Sequence, residues 1–444
     1  MRDPAYDLAA HVAGSRFEDL PRATVLATKR DLLDTYGCLL GGSAEPGIAE
    51  LRRLANRWGG APEAPVLVHG DRLPAPAAAQ INGAMAHALD FDDVLDHGGS
   101  IHPGASVLAA SLAAASLRGD ASGKDLVLAA TLGLDVACRI ALASPLDRGW
   151  HRTSVMGVFG ATAAAASLLR LPPEQVLHGF GIAYSQAAGN RQCILDGALT
   201  KRLQAGLGGS GGVFAAMLAR EGFTGATNIF GGRYGFLELY QPNGSDIGRL
   251  TEHLGEAWRG DELSFKPYPC GRPLHAAIDA ALALRQQLGG SPVATLRIAC
   301  DAATYHDAFE SGSAKRRPTQ IVEAQFALPF LLAAAMVHGK VGIGEVAAFD
   351  HPAVLDLAGC IEASADASRS GRSMTITAVT RDGHLATVET TGATGSPAKP
   401  LSDAQLAEKF RDCAARAAKP VDGGKLIDAI MALDTLADLR AVCI

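Results

Sequence analysis

Apolar residues return at intervals of three and four through most of the first 260 positions, the mark of helices that bury one face. This spacing predicts helices over 21–40, 76–89, 103–117, 124–143, 154–169, 173–188 and 203–221. Each ends at glycine, proline or a polar cluster, and several start at a proline, which suits a first helical turn. No strands alternate with these helices, so the pattern implies a helical bundle rather than a nucleotide-binding parallel sheet. After Phe265 the pattern changes. A helix over 273–288, a strand over 294–300 and a helix from about 319 to 338 precede two alternating β-branched stretches, 373–380 and 384–391. Arg381-Asp382-Gly383 joins those stretches as a hairpin turn. Past the glycine- and proline-rich stretch 392–400, helical spacing resumes over 402–417 and 424–433. The expected fold class is mainly α with a smaller α+β domain. A helical domain over 1–264 is followed by an α+β domain over 265–399, and helices over 400–444 return to the first domain and make it discontinuous.

Composition narrows the function. The 444 residues are 48% hydrophobic, largely through alanine, 19% charged and 5% aromatic, which describes tightly packed helices with ample length for a large core. A formal net charge of -6 without any basic block argues against nucleic acid as a partner. Residues 1–16 lack the basic, apolar and small-residue order of a signal peptide, and no uninterrupted apolar run nears the ~18 residues of a membrane span. A cytoplasmic location without membrane contact is therefore expected. The eight cysteines (Cys38, Cys138, Cys193, Cys270, Cys300, Cys360, Cys413 and Cys443) are scattered, with no CxxC pair. That argues against zinc or an iron–sulfur cluster on neighbouring thiolates and for buried free thiols.

Candidate chemistry concentrates in His87-Ala-Leu-Asp90-Phe-Asp92-Asp93-Val94-Leu-Asp96-His97-Gly-Gly-Ser-Ile-His102-Pro103, where carboxylates and imidazoles crowd between alanine-rich apolar helices. Asp92-Asp93-Val94-Leu95-Asp96 matches the DDxxD pattern of helical isoprenoid synthases, whose first and last carboxylates would share one helix face and a Mg²⁺. A second such motif and an aromatic lining are missing, which makes that reading remote. Capping and ion pairing explain Asp93 and Asp96, but not Asp90 inside the apolar periodicity or His102 at the start of the next helix. His151 precedes the small-residue helix that begins near Ser154, where a positive dipole end favours an anion. Lys201-Arg202 opens another helix and suits a carboxylate, while the glycines of 206–212 match no phosphate loop and serve close helix contact. Lys266, Arg272 and His275 cluster where the pattern shifts, and no GxSxG elbow supports a serine hydrolase.

In order along the chain, these segments resemble the MmgE/PrpD family, whose members include 2-methylcitrate dehydratase, cis-aconitate decarboxylase and iminodisuccinate epimerase. The resemblance rests on His87-Ala-Leu-Asp-Phe-Asp-Asp with His102-Pro103, Trp150-His-Arg-Thr-Ser-Val-Met-Gly157, Lys201-Arg-Leu203, Gly222-Phe-Thr-Gly225, Lys266-Pro-Tyr-Pro-Cys-Gly-Arg-Pro-Leu-His275 and Ala324-Gln-Phe-Ala-Leu-Pro-Phe330. It implies a large helical domain, a lid-like α+β domain, an active site between them, a homodimer, and no metal or organic cofactor. Catalytic positions fall on Asp90, His102, His151, Lys201 and His275, and the carboxylate-binding arginine is open among Arg202, Arg272 and residues near Arg317. Val94 and Phe330 stand at substrate-binding positions where the decarboxylase has threonine and tyrosine, and the twelve-residue step from Asp90 to His102 resembles the dehydratase. The resulting expectation is a lyase acting on a small di- or tricarboxylate, foremost a 2-methylcitrate dehydratase-like enzyme. The alternatives are an epimerase of an iminodisuccinate-like dicarboxylate, a cis-aconitate decarboxylase-like enzyme, and an inactive carboxylate-binding homologue.

Overall fold

The computed structural model describes residues 2–98, 100–289, 291–310, 315–371 and 373–443. The chain divides into two compact units, the first holding Met1–Gln192, Leu199–Phe265 and Ser402–Ile444, the second Cys193–Ala198 and Lys266–Leu401. The sequence pattern places its boundaries at 264/265 and 399/400, and gives no sign that Cys193–Ala198 groups with the second unit.

The first unit is built on the helices Arg22–Gly42, Ala75–Ala86, Gly104–Arg118, Gly123–Ala143, Arg152–Leu168, Pro173–Tyr184 and Thr200–Arg220. Their alanine and glycine faces let backbones approach closely, so dispersion between small residues replaces the bulk of aromatic cores. A Cβ on Gly206 would strike the Gln80 carbonyl, and one on Gly212 would strike Ala161, which explains the glycine run of Thr200–Arg220. The Gly123–Ala143 helix is long and apolar enough by length and composition to cross a membrane, which the sequence reading did not identify; 89% of its apolar window is buried inside the unit. Within it, Arg139 pairs with Asp135 at 2.7 Å and donates to the Glu252 and Ala257 carbonyls, so a fully buried guanidinium is satisfied. The returning helices Asp403–Ala414 and Gly423–Met431 pack on Arg22–Gly42. Side chains tie the ends of the chain together there: Tyr36 donates to the Val442 carbonyl at 2.7 Å, and Lys29 reaches Asp434 at 2.8 Å.

The second unit has a four-stranded sheet in the order Glu362–Ala365, Val293–Cys300, Met374–Thr380, Leu385–Glu389, in which the first pair is parallel and the others antiparallel. Met374, Ile376 and Ala378 face inward by strict alternation and share a core with the helices His275–Gln287 and Leu328–His338. The helix expected over 319–338 is broken into Ile321–Gln325 and Leu328–His338. Pro329 has no N–H to continue the first helix and instead occupies the opening turn of the second. The helices Ala5–Gly14, Ile48–Trp58 and Pro352–Gly359 and the parallel strand Glu362–Ala365 are additions to the sequence-based picture.

The structure departs from the sequence most at the acid-rich stretch. The helix expected to reach residue 89 ends at Ala86, and Asp90 adopts a left-handed backbone with φ +51°. Asp92 to Asp96 is not helical: Val94 bridges to Ser264 and Leu95 to Ile101 in extended pairs. The shared helical face required by the DDxxD reading therefore does not exist.

Candidate active site

Three helix N-termini in the first unit bring together the side chains expected to do chemistry. His102 lies two residues before Gly104–Arg118, His151 caps Arg152–Leu168, and Lys201 is the second residue of Thr200–Arg220. The turn that follows Ala75–Ala86 inserts His87 and Asp90 among them. The His87 ring centroid is 5.2 Å from that of His102 and 5.6 Å from that of His151. Lys201 Nζ lies 2.9 Å from His87 Nε2 and 3.4 Å from Asp90 Oδ2. Aligned N–H groups at helix starts make this a positive locale, which suits an anionic ligand. Among the described residues, Asp90 is one of five non-glycine residues in the left-handed region, and its place within such a cluster fits a functional position.

Hydrogen bonds fix the imidazoles. His87 Nδ1 sits 2.7 Å from Asp92 Oδ2, with both side chains fully buried. His102 Nδ1 donates to the Asp93 carbonyl at 2.6 Å, so in the neutral ring Nε2 carries the lone pair. His151 is buried, and its Nδ1 has no protein hydrogen-bond partner. Burial first, then the neighbouring His87, Lys201 and His102, hold the His151 imidazole well below its ordinary value against the pull of Asp90. Burial also lowers His87, aided by Lys201 and opposed by Asp92.

Behind these residues lies a buried carboxylate cluster. Asp93 accepts from the Gly104 amide with both oxygens at 3.1 Å and is hydrogen-bonded to Asp31. Burial, then the charges of Asp34 and Asp92, push Asp31 well above the carboxylate range against its hydrogen bond to Asp93, and burial with Asp31, Asp92 and Asp34 does the same to Asp93, so this pair holds a proton. Lys409, from the returning Asp403–Ala414 helix, enters the cluster, 2.6 Å from Asp34 Oδ1 and 2.6 Å from the Phe91 carbonyl. One atom each from Asp90, Asp92 and His102 lie within 4.8 Å of one another, a spacing that could hold a cation. Lys201 already brings a positive charge to Asp90 there, and an ammonium satisfies the same carboxylate.

The other expected site residues are placed as follows. Arg202 is turned to Glu45 at 3.4 Å and the Pro46 carbonyl at 2.9 Å, while its Nη2 is buried without a partner. Val94 is fully buried in the first unit. His275 belongs to the second unit, where Nε2 donates to the Cys270 carbonyl at 3.3 Å and Nδ1 faces Arg272 at 3.4 Å. Arg272 also donates to the Thr394 carbonyl at 2.7 Å. Phe330 is in the core of the second unit, and Arg317 is at its surface, 3.9 Å from Asp356. Sequence reasoning missed His87, Asp92, Asp31 and Lys409 as parts of one network. It also missed Arg152, next to His151, whose Nε and Nη2 are buried without partners and whose pKa burial pulls down to about 10.

Comparison with protein families matches residues 6–245 to the MmgE/PrpD N-terminal domain and residues 268–435 to the MmgE/PrpD C-terminal domain. The chain belongs to the MmgE/PrpD family. Among its MmgE/PrpD relatives, the cis-aconitate decarboxylase-like protein oryM of Aspergillus oryzae is 27% identical over 95% of this chain and 92% of its own length. The cis-aconitate decarboxylase of Aspergillus terreus is 24% identical over 95% of this chain and 91% of its own. That of Homo sapiens is 29% identical over 63% of this chain and 59% of its own. Family and relatives alike indicate an enzyme.

Proposed function

We propose that this chain is a lyase that removes CO₂ from an unsaturated tricarboxylate of the cis-aconitate type, without a metal or organic cofactor. The observation that carries the reading is the meeting of the Lys201 ammonium with His87, His102, His151 and Asp90 at three helix N-termini. Decarboxylation breaks one C–C bond and leaves its electron pair in an allylic system conjugated with a remaining carboxylate; one proton must then reach carbon. Lys201 and the helix N-termini stabilise that developing charge. His102, partly exposed and bound through Nδ1 to a carbonyl, takes a proton from water on Nε2 and delivers it. His151, held neutral, is suited to accept one.

The decarboxylase relatives, aligned over nine-tenths of both chains, favour decarboxylation over the dehydration expected from sequence. Dehydration stays as the second reading because of the twelve-residue step from Asp90 to His102. A homodimer and a cytoplasmic location remain part of the proposal. Supporting the dimer, Leu207 and Phe214, each 47% exposed, lie seven residues apart along one side of Thr200–Arg220; light scattering on the purified chain reads its mass. Proton NMR in D₂O with cis-aconitate, methylcitrate, iminodisuccinate and citramalate tests the reaction. CO₂ loss with an unsaturated dicarboxylate product supports the proposal. An alkene formed without CO₂ loss replaces it by dehydration, deuterium uptake without net change replaces it by epimerisation, and no turnover of any compound withdraws it.

A further inference from the structure

His87 is not among the residues that the sequence marks for catalysis, yet it is the hub of the cluster. An ammonium has no lone pair, so the 2.9 Å contact between Lys201 and His87 must run from Nζ–H to Nε2. Nε2 must then be unprotonated, and the hydrogen of the neutral ring must sit on Nδ1. That nitrogen is 2.7 Å from Asp92 Oδ2, a carboxylate able to accept it. Two contacts therefore agree on one tautomer and one direction for the chain Lys201→His87→Asp92. All three side chains are buried, so water does not compete for these bonds.

We propose that His87 is the positioning residue of this site, fixed in its Nδ1–H tautomer by Asp92 so that Nε2 aims the Lys201 ammonium and keeps it protonated. The assignment rests on the decarboxylase reading only for what Lys201 then does to substrate. Among the described contacts, Lys201 meets His87 and Asp90 from the turn after Ala75–Ala86 and acts on His151 at the start of Arg152–Leu168, while Asp92 and His102 lie against His87. Among these, His87 makes the closest contact with Nζ, and it is a neutral acceptor. It therefore stabilises the ammonium without cancelling its charge, whereas Asp90 neutralises it. If the proton moves from Nζ to Nε2, Asp92 offsets the imidazolium that forms, so the same bond lets the lysine lend its proton and recover it.

The test does not depend on knowing the substrate. In histidine-¹⁵N-labelled protein, with His87→Gln used for assignment, the His87 nitrogens should report Nδ1–H and a bare Nε2 at neutral pH; an Nε2–H tautomer or an imidazolium would overturn the proposal. In lysine-labelled protein, with Lys201→Met for assignment, the Lys201 Cε resonance reports its titration. His87→Leu should lower the midpoint by roughly one to two pH units, the tenfold to hundredfold loss of proton affinity expected for a lost charge-assisted bond. His87→Gln, which keeps an acceptor oxygen near the Nε2 position, should restore most of it. Equal midpoints in wild type and His87→Leu would overturn the proposal, as would equal losses in the Leu and Gln variants. Where turnover is found, His87→Leu should lower kcat at least about tenfold with little change in KM, and the Gln variant should recover part of it. A protein inactive on every compound but showing these tautomer and titration results keeps the assignment and loses only the decarboxylase reading.

Discussion

Replacing Lys409 by Met removes the ammonium that enters the buried carboxylate cluster behind the site. Lys409 lies 2.6 Å from Asp34 and 2.6 Å from the Phe91 carbonyl, and 3.9 Å above the Phe91 ring, with both side chains of the Lys409–Asp34 pair almost wholly buried. Removing one partner of a buried ion pair costs about 3–5 kcal/mol, because the remaining charge stays desolvated. The first unit has roughly 300 residues, and at an unfolding entropy of about 2.1 cal/mol/K per residue this corresponds to a fall of about 5–8 °C in its transition. All three tryptophans, Trp58, Trp150 and Trp258, belong to that unit, so tryptophan fluorescence during heating follows it alone. Burial pulls the Lys409 pKa down and Asp34 more than offsets it, leaving the group above the usual 10.5. Its stabilisation is thus complete at neutral pH, is lost only as pH climbs through the folded value, and the deficit of Lys409→Met should be constant from about pH 6 to 9. Asp34→Asn combined with Lys409→Met removes both charges and should recover more than half the loss. A single variant melting within about 1 °C of wild type, or a double variant no better than the single, would refute the account of the cluster.

Three further outcomes are expected. Because His151 is held well below 6.5, the acid limb of kcat/KM should lie below that value, and a limb at or above it would exclude His151 as the neutral base. Asp31 keeps in the folded state a proton that the unfolded chain releases near 3.8, so stability falls as pH rises from there through the folded value. Asp31→Asn should flatten that slope and raise the melting temperature at neutral pH, whereas a pH-independent destabilisation in the same fluorescence assay would contradict a protonated pair. Gly206→Val should yield insoluble or strongly destabilised protein, measured as soluble yield and melting temperature, since its Cβ would meet the Gln80 carbonyl; near-wild-type behaviour would mean that the helices can separate cheaply.

Helix existence was legible because alanine-rich faces repeat cleanly, as in Arg22–Gly42 or Gly123–Ala143. Helix ends were less so: Ala88 and Leu89 continue the apolar spacing after the backbone has turned, and nothing local announces the left-handed Asp90. Asp90 and His102 could be picked out because polar side chains at the edges of apolar helices need a reason, whereas His151 and Lys201 gained their weight from the family resemblance. His87 was seen in the acid–histidine stretch but given no role, because the same periodicity absorbed it as a helix position. Lys409 could not be found at all from spacing, since its partners Asp34 and Phe91 lie more than 300 positions away. The DDxxD match misled because a motif carries meaning only on the backbone that presents it, and here that backbone is extended.

The first long helix, Arg22–Gly42, is held by the last segments of the chain, through Tyr36 and Val442, Lys29 and Asp434, and Asp34 and Lys409. During synthesis, the residues of the His87–Lys201 cluster leave the ribosome about 200 or more positions before the ammonium that neutralises the acids beneath them. Until Lys409 arrives, Asp34 and the Phe91 carbonyl lack the ammonium that satisfies them in the folded protein. The candidate site of the first unit is therefore written early and completed last, so a nascent chain cut short before residue 409 would carry its residues without the cation that pairs with Asp34.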